Sequence, residues 1–238
     1  IYAVNTLIEE GYGVRWWTST ESYYPSRPVL PVPEMELSYS PPVKIREASI
    51  LDAYDAEFRL RLRGNAVSRI RWATENPQYI PAEKGGCHRL LFFDGRKSAF
   101  HSFFEILPPK EHLEAHPDWY SLIQGKRQAK QLCLTNKEME KAFIEETLRL
   151  LRTNPDVDFI SISQNDWRGA CECDACKALE AETGGVHSGP LVHFVNHVAE
   201  AVEREFPYVT VETFAYQYTK EAPKNVRPRR NVLIRLCD

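Results

Sequence analysis

The chain has 238 residues, 43% of them hydrophobic and 26% charged, enough apolar material for one large domain or a domain and part of another, which excludes disordered and collagen-like chains. With 30 basic against 33 acidic residues the net charge is −3, and no lysine or arginine block is long enough to track a phosphate backbone, so a nucleic-acid partner is not expected. No apolar run approaches the ~20 residues that cross a bilayer, so no membrane span is expected either.

The first segment reads as an amphipathic helix carrying Ala3, Leu7 and Ile8, then Gly11-Tyr12-Gly13, then a short aromatic strand Val14-Arg15-Trp16-Trp17. Prolines at 25, 28, 31, 33, 41 and 42 cannot sit inside helices or central strands, which makes this stretch an extended linker and sets a domain boundary near residue 43. The chain opens at Ile1 without methionine and stops at Asp238 directly behind an apolar run. That pattern is expected of a piece of a longer protein, with any export signal lying upstream.

Beyond the boundary, strand and helix signals alternate. Apolar runs rich in β-branched or aromatic residues occur at 43–45, 88–93, 131–134, 159–163, 209–215 and 232–236. Between them Tyr54, Phe58 and Leu62 share one helical face, and Met139, Phe143 and Leu150 share another behind a Thr135-x-x-Glu138 capping box. The clearest stripe is Leu191, Val195, Val198 and Val202, ending before Pro207. Such alternation predicts parallel strands in an α/β domain, and the length after residue 43 fits five or six units of a (β/α)8 TIM barrel of ~250 residues. A doubly wound sheet also satisfies the alternation, but the glycine-rich phosphate turn that usually announces one is missing.

In such a barrel the site is built at the carboxyl ends of the strands. That rule selects Arg46 and Glu47 after the first strand, Phe100, His101 and Ser102 near the second, Thr135 and Asn136 after the third, Gln164, Asn165, Asp166 and Trp167 after the fourth, and Tyr216, Gln217 and Tyr218 after the fifth. Acids, amides and aromatics on one rim suit a sugar, since ring faces pack on pyranose C–H groups while carboxylates and amides bind hydroxyls. Asp166 is the leading catalytic candidate, with Arg46, Glu47, His101, Asn165, Trp167 and Tyr216 expected to bind substrate. The same residues have blander readings: Asp166 as a turn or helix cap, His101 as a core histidine or a metal ligand, Arg46 with Glu47 as an ion pair. Glycosidase chemistry needs a second acid, for which Glu47 and Glu212 stand in the sequence, Glu212 reading more naturally as an exposed alternate of its strand.

Six cysteines are too few for a disulfide-dense scaffold. Cys171, Cys173 and Cys176 form a C-x-C-x-x-C loop. Three thiolates and a histidine, His187 or His193, would close a structural zinc site; a disulfide within the loop, or to Cys133 or Cys237, is the competing account.

The runs from His116-Pro117-Asp118-Trp119-Tyr120 through Gly125-Lys126-Arg127, Gln131 to Asn136, and Ser163-Gln164-Asn165-Asp166 with the cysteine loop resemble the domain-of-unknown-function family 4838. Members of that family have been assigned to glycoside hydrolase family 163. Phe194-Val195-Asn196, Ala215-Tyr216-Gln217-Tyr218, Pro223 and Asn231-Val232 continue the resemblance. Residues 1–42 are similar in architecture to the end of the small α/β domain that precedes the barrel in α-glucuronidases and β-hexosaminidases.

The resemblance implies a secreted, periplasmic or cell-surface bacterial glycosidase acting on N-acetylglucosamine-containing oligosaccharides or glycoprotein glycans. It implies retention of configuration with help from the substrate acetamido group and no catalytic cofactor. One carboxylate would then orient the acetamido nitrogen while a second protonates the leaving oxygen. Asp166 matches by position, but related barrels carry Asp-Glu in tandem where this chain has Asn165-Asp166, so the second acid is unassigned and this piece alone is expected to be inactive. Three other readings stay open: an α-glucuronidase-like hydrolase, a non-catalytic glycan-binding barrel, and a metal-dependent hydrolase centred on the cysteines.

Overall fold

A computed structural model describes residues 1–41, 46–48, 50–66, 80, 86, 100–155 and 157–237. The expected strands at 43–45 and 88–93 lie outside these residues. The chain is mixed α/β and divides into two compact units, Ile1–His88 and Arg89–Asp238.

In the first unit, helix α1 (Tyr2–Thr6) runs into one π-helical stretch (Leu7–Gly11). A two-residue ladder joins β1 (Arg15–Trp16) to antiparallel β2 (Ser22–Tyr23). Gly13 enters β1 at φ 76, a conformation open to glycine because it lacks a Cβ. The proline-rich stretch that follows has no regular structure as far as residue 41 and is largely exposed, as proline's fixed φ and missing N–H require. Helix α2 (Ala56–Arg61) is capped by Asp55, whose side chain accepts from the Phe58 amide at 2.7 Å.

Among the described residues the second unit carries the larger core. Short helices α3 (Phe103–Ile106) and α4 (Pro109–His112) lead into a hairpin of β3 (Tyr120–Ile123) and β4 (Lys126–Leu132). The run at 131–134 is therefore not a separate parallel strand: its first two residues end the antiparallel β4. Helix α5 (Lys137–Thr153) starts one residue later than the Thr135 capping box predicts, because Asn136 takes the cap, accepting from the Met139 amide at 2.9 Å.

Strand β5 (Phe159–Ser161), helices α6 (Asp174–Glu182) and α7 (Ser188–Glu205), strand β6 (Thr210–Ala215) and strand β7 (Val232–Leu236) complete the chain. The three strands form one parallel sheet in the order β5-β6-β7. The β6–β7 connection holds only a 3-10 turn (Gln217–Thr219), so the helix expected of each crossover is missing there.

Alternation along the strands sorts the sheet's two faces. Ile160, Ile162 and Val211 share a core with Val195, Val198 and Val202 of α7, all with essentially no exposure. Phe103, Phe143 and Phe194 tie α3, α5 and α7 together, with ring centroids 5.1–5.9 Å apart in edge-on contacts. The in-between residues Ser161, Ser163, Glu212 and Phe214 turn to the opposite face, which is thus the polar one. No helix among the described residues is long and apolar enough to cross a membrane.

Candidate functional site

Because β5 and β6 are parallel, both release the chain at one edge of the sheet, and candidate residues from distant parts of the sequence meet there. Asp166 follows β5, and its Oδ1 accepts hydrogen bonds from the Tyr216 hydroxyl (3.0 Å) and from Gln217 Nε2 (3.1 Å), both just beyond β6. His101 joins them. Its amide donates to Ser163 Oγ (2.9 Å), and its Nδ1 lies 2.8 Å from the Gln164 carbonyl, which can only accept, so that nitrogen carries a proton. The His101 ring lies 5.4 Å from Phe214 and 5.8 Å from Tyr216.

Two non-glycine residues here occupy the left-handed region, His101 at φ 56 and Gln217 at φ 50. Such backbone costs ~1 kcal/mol or more and persists where surrounding contacts over-determine it. Beside Asp166, Trp167 is 41% exposed. Lys130 Nζ sits 4.0 Å from the centroid of its ring.

The segment bearing Asp166 is held from below by a residue whose part the sequence does not disclose. Gln131, 2% exposed at the end of β4, donates through Nε2 to the carbonyls of Asn165 (2.9 Å) and Trp167 (3.2 Å). Its Oε1 accepts from the Asn165 amide (2.9 Å). Asn165 also reaches back through Nδ2 to the Lys130 carbonyl (3.0 Å), which braces the segment. Gln164, fully buried, donates to Thr219 Oγ1 at 2.7 Å and so locks the two strand exits together.

Glu212 is not an exposed alternate. Its side chain is 3% exposed and takes a fork from Arg235, with Nε at 3.0 Å from Oε1 and Nη2 at 3.1 Å from Oε2. Val211 packs toward α7, so the pleat sends Glu212 to the polar face, and the Arg235 fork compensates the buried charge. Arg46 and Glu47 belong to the first unit. There the Arg46 amide donates to Asn65 Oδ1 (2.8 Å), its Nε to the Arg63 carbonyl (2.7 Å), and its guanidinium lies 5.6 Å from the Tyr2 ring centroid. Glu47 acts on Tyr54, whose phenol is pushed up first by burial and then by that negative charge.

A second cluster lies behind the Asp166 segment. The sulfurs of Cys133, Cys171, Cys173 and Cys176 all fall within 4.8 Å of one another. The fourth member is thus a thiol from beyond β4, not a histidine: His187 Nδ1 is 2.7 Å from Glu180 Oε2, and the His193 ring lies 4.4 Å from His197. Cys133, Cys171, Cys173 and Cys176 are free thiols. Hydrogen bonds from Cys171 and Cys176 hold the Cys133 thiol well below its ordinary pKa, while its neighbour Cys171 is pushed up to about 11 by its bond to Cys133.

The profile of the family described as "Domain of unknown function (DUF4838)" matches residues 16–238, and the chain belongs to that family. No curated protein and no solved structure matches it.

Proposed function

We propose that this chain is part of an exported glycoside hydrolase that cleaves N-acetylglucosamine-containing glycans, with its three parallel strands forming part of a (β/α)8 barrel. The observation that carries the reading is the setting of Asp166. It lies at the carboxyl edge of parallel strands, where such barrels build their sites, beside a half-exposed indole and bonded to Tyr216, whose ring lies 5.8 Å from that of His101. Oδ1 is held by two donors and the residue is exposed, which leaves Oδ2 accessible to a ligand. A carboxylate so arranged suits accepting from an acetamido N–H, which aligns the acetamido oxygen for attack on the anomeric carbon while a second acid protonates the leaving oxygen. Trp167 supplies a flat face for a sugar ring. No metal takes part in this chemistry.

The experiment is to incubate the full-length protein with N-acetylglucosamine-containing glycans and with uronic-acid oligosaccharides and to resolve the products by mass. Release of a defined N-acetylglucosamine-containing fragment with retained anomeric configuration is expected. Release from the uronic-acid series alone would replace this reading with an α-glucuronidase-like one, and binding without any product would replace it with a glycan-binding protein.

A further inference from the structure

We propose that Cys133, Cys171, Cys173 and Cys176 form a closed tetrathiolate zinc site whose work is to brace the segment carrying Asp166. The inference rests on the thiols alone and holds whatever reaction the rim performs.

The distances decide between the two accounts of four neighbouring cysteines. A tetrahedral zinc with Zn–S bonds of ~2.3 Å sets its sulfurs ~3.8 Å apart, whereas a disulfide brings them to ~2.05 Å. Cys133 Sγ lies 3.6 Å from Cys173 Sγ and 3.9 Å from Cys176 Sγ, and no pair of the four exceeds 4.8 Å. These are the spacings of four ligands around one ion, and they are too short to enclose a multi-iron cluster with its own bridging sulfides.

The surroundings also suit a site that carries negative charge. Four thiolates around a divalent ion leave a net charge of −2, which needs donors. The Leu122 amide lies 3.3 Å from Cys171 Sγ, the Thr135 hydroxyl 3.2 Å from Cys176 Sγ, and Arg127 Nη1 3.9 Å from Cys171 Sγ. Cys173 occupies the N-cap position of α6 without a side-chain capping bond, and the first turn of that helix contains Cys176, so the amino end of the helix dipole lies on the same side. Three of the four cysteines are buried. With four protein ligands no position is left for water or substrate, which makes the site structural. Each thiol gives up its proton on binding, so affinity falls as pH falls.

The consequence for the rim comes from where the ligands lie. Cys133 stands two residues beyond Gln131, the side chain that clamps Asn165 and Trp167, and Cys171 closes the segment that begins after β5. The metal would therefore fix both the clamp and the far end of the segment that bears Asp166.

The test uses the full-length protein purified without chelator under reducing conditions. Elemental analysis is expected to find one zinc per chain, and zinc-edge X-ray absorption to fit four sulfurs at ~2.3 Å. Cys133→Ser is expected to lose the metal, and His187→Ala and His193→Ala to keep it. In case Cys133→Ser fails to fold, the wild type is stripped with chelator and titrated with zinc alone. Faster amide exchange at residues 165–167 on stripping, reversed by one equivalent, is expected. A fit requiring nitrogen, loss of metal in either histidine variant, bound iron instead of zinc, mass evidence of disulfides among the four, or four free thiols that take up no added zinc would each overturn the proposal. None of these readouts depends on glycosidase activity.

Discussion

Gln131→Leu removes the clamp under the Asp166 segment while nearly preserving side-chain volume. Three hydrogen bonds are lost, two from Nε2 to the Asn165 and Trp167 carbonyls and one from the Asn165 amide to Oε1. Each is worth ~1 kcal/mol net, and more where the abandoned group is buried. Water can replace Gln131 at the Trp167 carbonyl, since that residue is exposed, so the loss comes to ~1–3 kcal/mol. If opening of this segment controls exchange, protection of the Asn165 amide should fall roughly tenfold to a hundredfold, at about 1.4 kcal/mol per decade. Hydrogen exchange read by mass spectrometry or NMR measures this directly. An Asn165 amide that exchanges at the wild-type rate in Gln131→Leu would refute the reasoning.

Phe194→Ala should cost ~3–5 kcal/mol, because the ring is fully buried between Phe103 and Phe143; a denaturation midpoint shifted by less than ~1 kcal/mol would contradict the packing described. Asn136→Ala should cost ~0.5–2 kcal/mol through loss of the α5 cap. Asn136→Asp should recover little of this despite its capping oxygen, since Asn136 Nδ2 donates to Asp118 Oδ2 at 2.6 Å and a carboxylate there meets like charge; full recovery in a urea titration would argue against that contact. Burial, reinforced by Glu111, pushes the Tyr120 phenol up to about 12. Its folded pKa lies above the unfolded value of ~10, so its contribution to stability is complete below pH ~10 and is lost as pH rises through the folded value. Tyr120→Phe should flatten the alkaline fall in denaturant midpoint, and an unchanged slope would remove Tyr120 as its cause.

What could be read from the sequence follows physical periodicity. Leu191, Val195, Val198 and Val202 all lie in the core because a helix stripe needs no partner to be recognised. The runs at 159–163, 209–215 and 232–236 contain the three parallel strands. Apolar periodicity does not mark the hairpin, although its turn is local: Gln124 at φ 50 and Gly125 at φ 74 make a two-residue turn with both residues left-handed, the primed geometry that joins antiparallel strands.

At the site, the strand-end rule selects His101, Asp166, Trp167, Tyr216 and Gln217, whereas Gln131 and Lys130 act through contacts that no spacing encodes. Cys133 eludes the zinc reading for the same reason, since the loop's own spacing supplies three thiols and the fourth arrives through the β3–β4 hairpin. The buried side of Glu212 depends on Arg235 crossing from β7, a long-range pairing that alternation alone cannot reveal.

The most direct measurement of the central claim compares Asp166→Asn with wild type in turnover of an N-acetylglucosamine-containing glycan by the full-length protein, with circular dichroism to confirm that both are folded. The side chains are isosteric, so the fold should be retained while turnover falls at least ~100-fold, the scale of a lost acid–base or acetamido-orienting group. Near-normal turnover in a folded Asp166→Asn protein would remove Asp166 from the mechanism and with it the reading of this rim as a glycosidase site.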